Sequence, residues 1–355
     1  MTQAAATSSS RADLGASLND INAVKRSCAA FRDVFNELRS EIGKVLVGQD
    51  EIVHQVLTAL FGNGHVLLEG VPGLGKTLLV RTLGQTLTLD FARIQFTPDL
   101  MPADITGTSI VLEDPATGKR TFTFKPGPVF HQLVLADEIN RATPKSQAAL
   151  LEAMQEKSVT VAGTTHRLRQ PFFVMATQNP IEQEGTYSLP EAQLDRFFFK
   201  IVVPYATRDE MNEIVVRTTK TGEQQAQPVL DGATIEQAQR LARRVVVAPH
   251  VQDYAIRLVL ATHPDGELCP DGIRPMIHVG VSPRGAQTLV TAARVQALID
   301  GRYAASFHDI RSIAHATLRH RIVRSFEAQA DGISEDDIID DLIRTLPREP
   351  DDTDD

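Results

Sequence analysis

The chain contains no tryptophan and only two cysteines in 355 residues. Cys28 and Cys269 are far apart and no CxxC spacing occurs, so neither a disulfide framework nor a cysteine-built zinc site is indicated, and both read as reduced thiols. No run approaches the roughly 18 apolar residues that a spanning helix needs, and the Ala-, Ser- and Thr-rich opening stretch has no apolar h-region. The expectation is a soluble, cytoplasmic protein without membrane insertion. A basic excess is missing too. Eleven acidic residues and two arginines from Asp331 onward carry the whole net charge of -9, so the body before them is formally neutral. Such a body lacks the surplus of Lys and Arg with which nucleic-acid-binding proteins neutralise phosphates.

What is present is apolar material, 42% of the chain, enough for one large core or two moderate ones. Residues 1–28 read as a disordered lead, with a helical stripe of Phe31, Val34, Phe35, Leu38, Ile42 and Leu46 beyond its first half. From His65 to Val203, apolar strand candidates alternate with helices: His65–Glu69, Phe91–Phe96, Leu133–Ala136, Phe172–Ala176 and Phe198–Val203. That alternation predicts an α/β domain over 29–219, a parallel sheet covered by helices on both faces. Two hairpins are expected within it, Thr108–Leu112 with Thr121–Phe124 around Pro115 to Gly118, and Val159–Val161 with His166–Leu168 around Gly163. Residues 220–232 read as a linker. Strands are then absent from the pattern, and helices at about 233–246, 250–262, 284–299, 307–328 and 335–345 predict a small all-α lid over 233–346, followed by a solvated acidic tail, 347–355.

The densest chemistry begins at Gly70-Val71-Pro72-Gly73-Leu74-Gly75-Lys76-Thr77, which fits G-x-x-x-x-G-K-[ST] after a strand and opens a helix at Leu78. This is the context of a phosphate-binding loop. Glycines let backbone N–H groups curl around phosphates, and the helix N-terminus adds partial positive charge. Lys76 is placed against the β- and γ-phosphates of ATP, and Thr77 on Mg²⁺. Leu133-Val134-Leu135-Ala136-Asp137-Glu138 is an apolar strand ending in two acids at the sheet's carboxyl edge. Beside a phosphate loop, Asp137 is the second metal-binding residue and Glu138 the base that polarises an attacking water. Asn179, in Thr177-Gln178-Asn179-Pro180, closes another apolar strand at the same edge, within reach of that water or the γ-phosphate.

Two arginines complete the set. Arg196 follows a short helix, Leu189 to Asp195, and projects from the domain edge toward a neighbour's ATP; Arg284 opens a lid helix and folds toward its own subunit's γ-phosphate. Arg141 and Arg208 are rival candidates for the trans arginine.

In this order the motifs resemble the MoxR family of AAA+ ATPases over roughly residues 40–345, through Gly70–Thr77, Leu135–Arg141, Ala176–Pro180, Leu189–Phe197 and Ser282–Gly285. The resemblance implies roles as Walker A, Walker B, sensor 1, arginine finger and sensor 2, and places Val47-Gly48-Gln49 near the adenine. It also implies a homo-oligomeric, hexameric ring with both hairpins facing the pore, as in related magnesium-chelatase motors. The client it implies is a protein activated or matured by the ring, often one with a von Willebrand factor A domain. Two other readings stand beside it. A nucleic-acid motor has His166, Arg167 and Arg169 of the second hairpin in its favour, and a nucleotide-gated scaffold has Glu138 and Asn179 against it.

Overall fold

The computed structural model describes Leu14 and residues 21–71, 73–113, 120–180, 186–219 and 225–348. Among the described residues the first element is a long helix, α1 (Ile21–Val45), followed by α2 (Asp50–Phe61), β1 (Val66–Glu69), α3 (Lys76–Leu87), β2 (Phe91–Gln95) and the short α4 (Pro102–Thr106). A hairpin of β3 (Gly107–Glu113) and β4 (Arg120–Pro126) precedes β5 (Leu133–Asp137) and α5 (Pro144–Glu156). A second hairpin of β6 (Ser158–Val161) and β7 (Thr164–Arg167) leads into β8 (Phe173–Gln178), α6 (Glu191–Leu194), β9 (Phe199–Val202) and α7 (Arg208–Thr218).

Five of these strands form a parallel sheet in the order β2-β5-β8-β1-β9. Alternation along the strands sorts the core into two faces. Val66, Leu68, Leu133, Leu135, Phe173 and Met175 pack with α1, α2, α3 and the lid, while Leu67, Val134, Ala136, Val174 and Ala176 pack with α5. Sheet interiors that are apolar on both sides leave polar side chains only at the strand ends, and the carboxyl ends are where the motifs lie. The two hairpins touch: Phe124 stacks on His166 with ring centroids 4.1 Å apart, and Phe130 closes edge-on against both.

The lid consists of α8 (Gly232–Ala242), β10 (Val246–Val247), α9 (Pro249–Leu260), β11 (Ile277–Val279), α10 (Pro283–Ile299), β12 (Ala304–Ala305), α11 (Phe307–Ser312), α12 (Ala314–Leu318), β13 (Val323–Arg324), α13 (Phe326–Ala330) and α14 (Glu335–Thr345). It is helical, with two small strand pairs, β10 with β12 and β11 with β13, that the periodicity does not announce. The single helix expected over 307–328 is broken into α11, α12 and α13, with β13 between the last two.

Three further boundaries differ from expectation. Helix α1 includes 21–28, so these residues belong to the folded body; Ala23, Ser27 and Cys28 are buried there. The described part of the expected linker, 225–232, is packed rather than loose, because the Val229 and Leu230 N–H groups donate to Thr86 O, both side chains are buried, and Gly232 already belongs to a helix of the lid. Part of the acidic surplus is structural. Glu335, Asp336 and Asp337 occupy the first turn of α14, where carboxylates favour the helix dipole, and Glu335 and Asp336 pair with Arg324 and Arg319. Residues 349–355 of the tail, 220–224 of the linker and the first hairpin's turn lie outside the described residues. Among the described residues no helix is long and apolar enough to cross a membrane.

Two buried histidines tie elements together as neutral rings. His65 Nδ1 accepts from the Val174 N–H at 3.0 Å and Nε2 donates to Met154 O at 3.3 Å; burial pushes its pKa down to about 4. His320 Nε2 donates to Phe197 O, and burial, with the nearby Arg321 cation, holds it well below the usual histidine range. Below pH ~6.5 the unfolded chain therefore binds more protons than the folded one. Stability is complete above that value and falls toward pH 4, by up to about 1.4 kcal/mol per pH unit per histidine. Thermal unfolding between pH 7 and 5 should show this loss, and His65→Gln, which keeps a donor and an acceptor without a titrating ring, should remove the share due to His65 and leave that due to His320.

Candidate functional site

The loop between β1 and α3 is fixed from several sides. Gly73 and Gly75 adopt φ of +85° and +76°, a left-handed backbone open to glycine at little cost, and this turns the chain sharply into α3. Lys76 Nζ reaches back to donate to Gly70 O at 2.5 Å, and the Gly70 N–H donates to Gln178 O at the end of β8. Pro72 lies outside the described residues. Behind the loop, Gln49 Nε2 donates to Leu74 O at 2.7 Å, so the Val47-Gly48-Gln49 segment touches the loop directly.

At the neighbouring strand ends, Asp137 Oδ1 accepts from Thr177 Oγ1 at 2.6 Å, and the same hydroxyl accepts from the Glu138 N–H at 2.8 Å. The Thr177 hydroxyl thus locks β5 to β8 where the acids emerge. Asp137 Oδ2 accepts from Arg93 Nε and Nη2, at 3.1 and 2.7 Å. Glu138 adopts φ of +56°, uncommon for a side chain with a Cβ, which turns its carboxylate away from the strand direction. There Oε2 accepts from Gln95 Nε2 at 2.8 Å and from Arg141 Nη1 at 2.9 Å. Arg93, Gln95 and Thr177 are the site residues that motif reading does not single out. Their signal is register: Gln95 lies opposite Asp137 and Arg93 opposite Leu135 in the β2–β5 pair. Two polar residues two apart on an otherwise apolar strand mark one face of its end.

Gly73, Gly75, Lys76, Thr77, Leu78, Asp137, Glu138 and Asn179 together line a cavity of about 360 Å³. Gly70, Val71 and Leu74 shape the loop without lining it, and Val47, Gly48 and Gln49 lie outside its wall. A larger polar groove, about 600 Å³, runs between the second hairpin and α8, with Lys157, Arg167, Arg240, Glu156 and Glu236 in its wall. It mixes charges of both signs and holds none of the strand-end motifs.

Neither Arg196 nor Arg284 lines the cavity. Arg196 is half-buried, and its guanidinium makes no hydrogen bond or ion pair among the described residues. Arg284, on the first turn of α10, pairs with Asp195 at 3.2 Å instead of pointing to the loop. Of the rivals, Arg141 is engaged by Glu138 of its own chain, whereas the exposed Arg208 has no side-chain partner among the described residues. On the second hairpin His166 is stacked and Arg169 is paired with Asp90, which leaves Arg167 of the three basic candidates exposed and unengaged among the described residues.

Residues 65–199 match the model of the ATPase family associated with various cellular activities (AAA), and residues 272–342 match the AAA lid domain. The chain is 43% identical to "Chaperone MoxR1" of Mycobacterium tuberculosis over 306 residues, which is 86% of this chain and 80% of that protein. It is 32% identical to "Protein MoxR" of Methylorubrum extorquens over 336 residues, 89% of this chain and 94% of that one. A crystal structure of a Cytophaga hutchinsonii protein assigned as an ATPase superposes with a TM-score of 0.83 at 40% identity, covering 90% of this chain and 96% of that one.

Gly48 gives a direct test of the segment behind the loop. Its φ is +70°, and a Cβ there would lie 2.3 Å from the Glu210 carboxyl group, itself tied to the Thr207 N–H. Gly48→Ala should lower folding stability by about 1–2 kcal/mol, the cost of a left-handed backbone alone, with any displacement of Glu210 adding to it. Denaturant unfolding reads the change.

Proposed function

Because the chain belongs to the MoxR family of AAA+ ATPases, we propose that it hydrolyses Mg-ATP in a cytoplasmic ring of identical subunits, six by family resemblance, and that the cycle remodels a partner protein. The observation that carries this reading is one cavity lined by Lys76, Thr77, Asp137, Glu138 and Asn179. A cationic amine, a hydroxyl, two carboxylates and an amide meet there at the N-terminus of α3, which is the set that phosphoryl transfer to water requires.

Thr77 and Asp137 would hold Mg²⁺, and their hard oxygen donors suit it. Among the described residues there is no cluster of three or more His, Cys, Asp or Glu that could hold a metal; substrate phosphates and water would supply the remaining ligands. When bound, the ion neutralises charge on the phosphates. Lys76 leaves Gly70 O for the β- and γ-phosphates. Glu138 polarises the attacking water once Gln95 and Arg141 release its carboxylate, and Asn179 orients that water or the γ-phosphate. Arg196, without a partner in its own chain among the described residues, is our trans arginine; Arg284, which pairs with Asp195 beside it and does not line the cavity, is given no cis role.

The remodelling role is supported by the chaperone name of the Mycobacterium tuberculosis relative. A client bearing a von Willebrand factor A domain is the class that the family resemblance points to. The body before Asp331 is formally neutral, without the surplus of Lys and Arg with which nucleic-acid-binding proteins neutralise phosphates.

Glu138→Gln should bind ATP and lose turnover by about 10²-fold or more, the usual contribution of a positioned base. Unimpaired hydrolysis by a folded Glu138→Gln protein would remove the mechanism. Arg196→Ala should bind ATP, assemble and lose about 10³-fold in turnover, and mixing it with Lys76→Ala should restore part of the rate, since each supplies the half-site the other lacks. Specific activity should rise with protein concentration as light scattering reports assembly. A fully active monomer would sink the ring model.

A further inference from the structure

Asp137 carries a cation of its own chain on one of its two oxygens. In the β2–β5 register Arg93 stands opposite Leu135 and Gln95 opposite Asp137, so these four side chains share one face of the sheet. It is the face on which Leu135 packs with the core that includes α3. Arg93 therefore meets Asp137 at the carboxyl ends of the strands, on the rim where Lys76, Thr77 and Asp137 line one cavity.

The contact is a double one. Arg93 Nε and Nη2 both donate to Asp137 Oδ2, at 3.1 and 2.7 Å, and Nη2 also donates to Gln95 Oε1 at 2.5 Å, which anchors the guanidinium on β2 itself. A carboxylate offers about four lone-pair sites. In Asp137 the Thr177 hydroxyl takes one on Oδ1 and Arg93 takes both on Oδ2, which leaves a single place, on Oδ1, for a cation or its water. The Asp137 side chain is 12% exposed and that of Arg93 48% exposed, so the arginine's charge is felt at the carboxylate but is open to screening by salt. Arg93 does not line the cavity, and so acts through Asp137 rather than on the nucleotide.

We propose that Arg93 is a positioning residue that sets the Mg²⁺ affinity of Asp137: its charge opposes a second cation at the carboxylate, so that Mg²⁺ is held there only when nucleotide phosphates outweigh the arginine. This rests on the ATPase reading above, in which Thr77 and Asp137 are the metal-side residues, and deepens it by naming what tunes them. A bare Asp137 would attract divalent cations without nucleotide and would repel incoming phosphates; the ion pair with Arg93 counters both tendencies. A purely orienting role for Arg93 has the opposite sign, because a carboxylate left loose holds a metal less well.

The test reads metal dependence of binding, not turnover. With the full-length protein at low ionic strength, binding of a fluorescent non-hydrolysable ATP analogue is followed as free Mg²⁺ is raised, and the Mg²⁺ concentration at the midpoint is compared. Arg93→Gln should lower that midpoint by ~3–5-fold, the upper end for an exposed ion pair because the incoming ion is divalent. Arg93→Lys keeps the charge without the two-bond fork and should stay within about 1.5-fold of wild type. With the metal chelated by EDTA, Arg93→Gln should bind the analogue within about twofold of wild type. Raising KCl to about 0.5 M should shrink the difference in midpoint, since screening acts on charge and not on geometry.

An unchanged or raised midpoint in folded Arg93→Gln overturns the proposal. So does an equal fall in Arg93→Lys, which assigns the effect to geometry, or a difference that keeps its full size in high salt. Loss of metal-free binding by Arg93→Gln makes Arg93 a phosphate ligand and overturns it as well. Should Arg93→Gln fail to fold, Arg93→Met, uncharged and of similar length, is read the same way. The two readings fail separately: wild type that does not bind the analogue, or binds it without regard to Mg²⁺, overturns the Mg-ATP site and this proposal with it. Wild-type binding that depends on Mg²⁺ leaves the site standing whatever Arg93 does.

Discussion

Burial of both faces of a parallel sheet is the constraint on which the rest depends. β5 is fully buried along its length and β8 nearly so, and neither offers a polar side chain a place until its carboxyl end. Polar chemistry is therefore gathered at one rim by exclusion. Asp137, Glu138, Thr177 and Asn179 stand at that rim because the apolar stretches before them are committed to the two cores. The loop before α3 returns to the same rim because β1 lies beside β8. The site is a by-product of core packing, refined by a few hydrogen bonds such as that from the Thr177 hydroxyl to Asp137.

Much of this is legible in the sequence because it is local. The loop from Gly70 to Thr77, the acid pair after an apolar run, and the alternation of strands and helices all express themselves within a dozen residues. The features that escape are of another kind. Arg93 reaches Asp137 across 44 positions and Arg321 reaches Asp195 across 126, so nothing near either arginine announces its partner. Arg284 was expected to face its own phosphate site; the structure gives it a carboxylate instead, because Asp195 is the anion within reach of the first turn of α10. The first turns of α1 are hard to read from composition because small buried residues such as Ala23, Ser27 and Cys28 look like a continuation of the Ala- and Ser-rich stretch before them.

The acidic surplus shows the same division. Composition alone suggests one solvated tail, yet the carboxylates at 335–337 act as helix caps and ion-pair partners of the lid. Charge counts reveal sign and amount, while function depends on which backbone groups and cations lie opposite.

The stacked pair of Phe124 and His166 has a mechanical meaning. Rings 4.1 Å apart and nearly parallel, with Phe130 edge-on to both, tie the two ribbons to one another above their separate ladders. The second ribbon runs directly into β8, whose end carries Thr177 and the residues beside it. The exposed Phe122, two residues from Phe124 on β4, thus stands on a ribbon whose aromatic contact is with the ribbon that leads into β8, so whatever touches Phe122 lies one contact and one strand from Thr177.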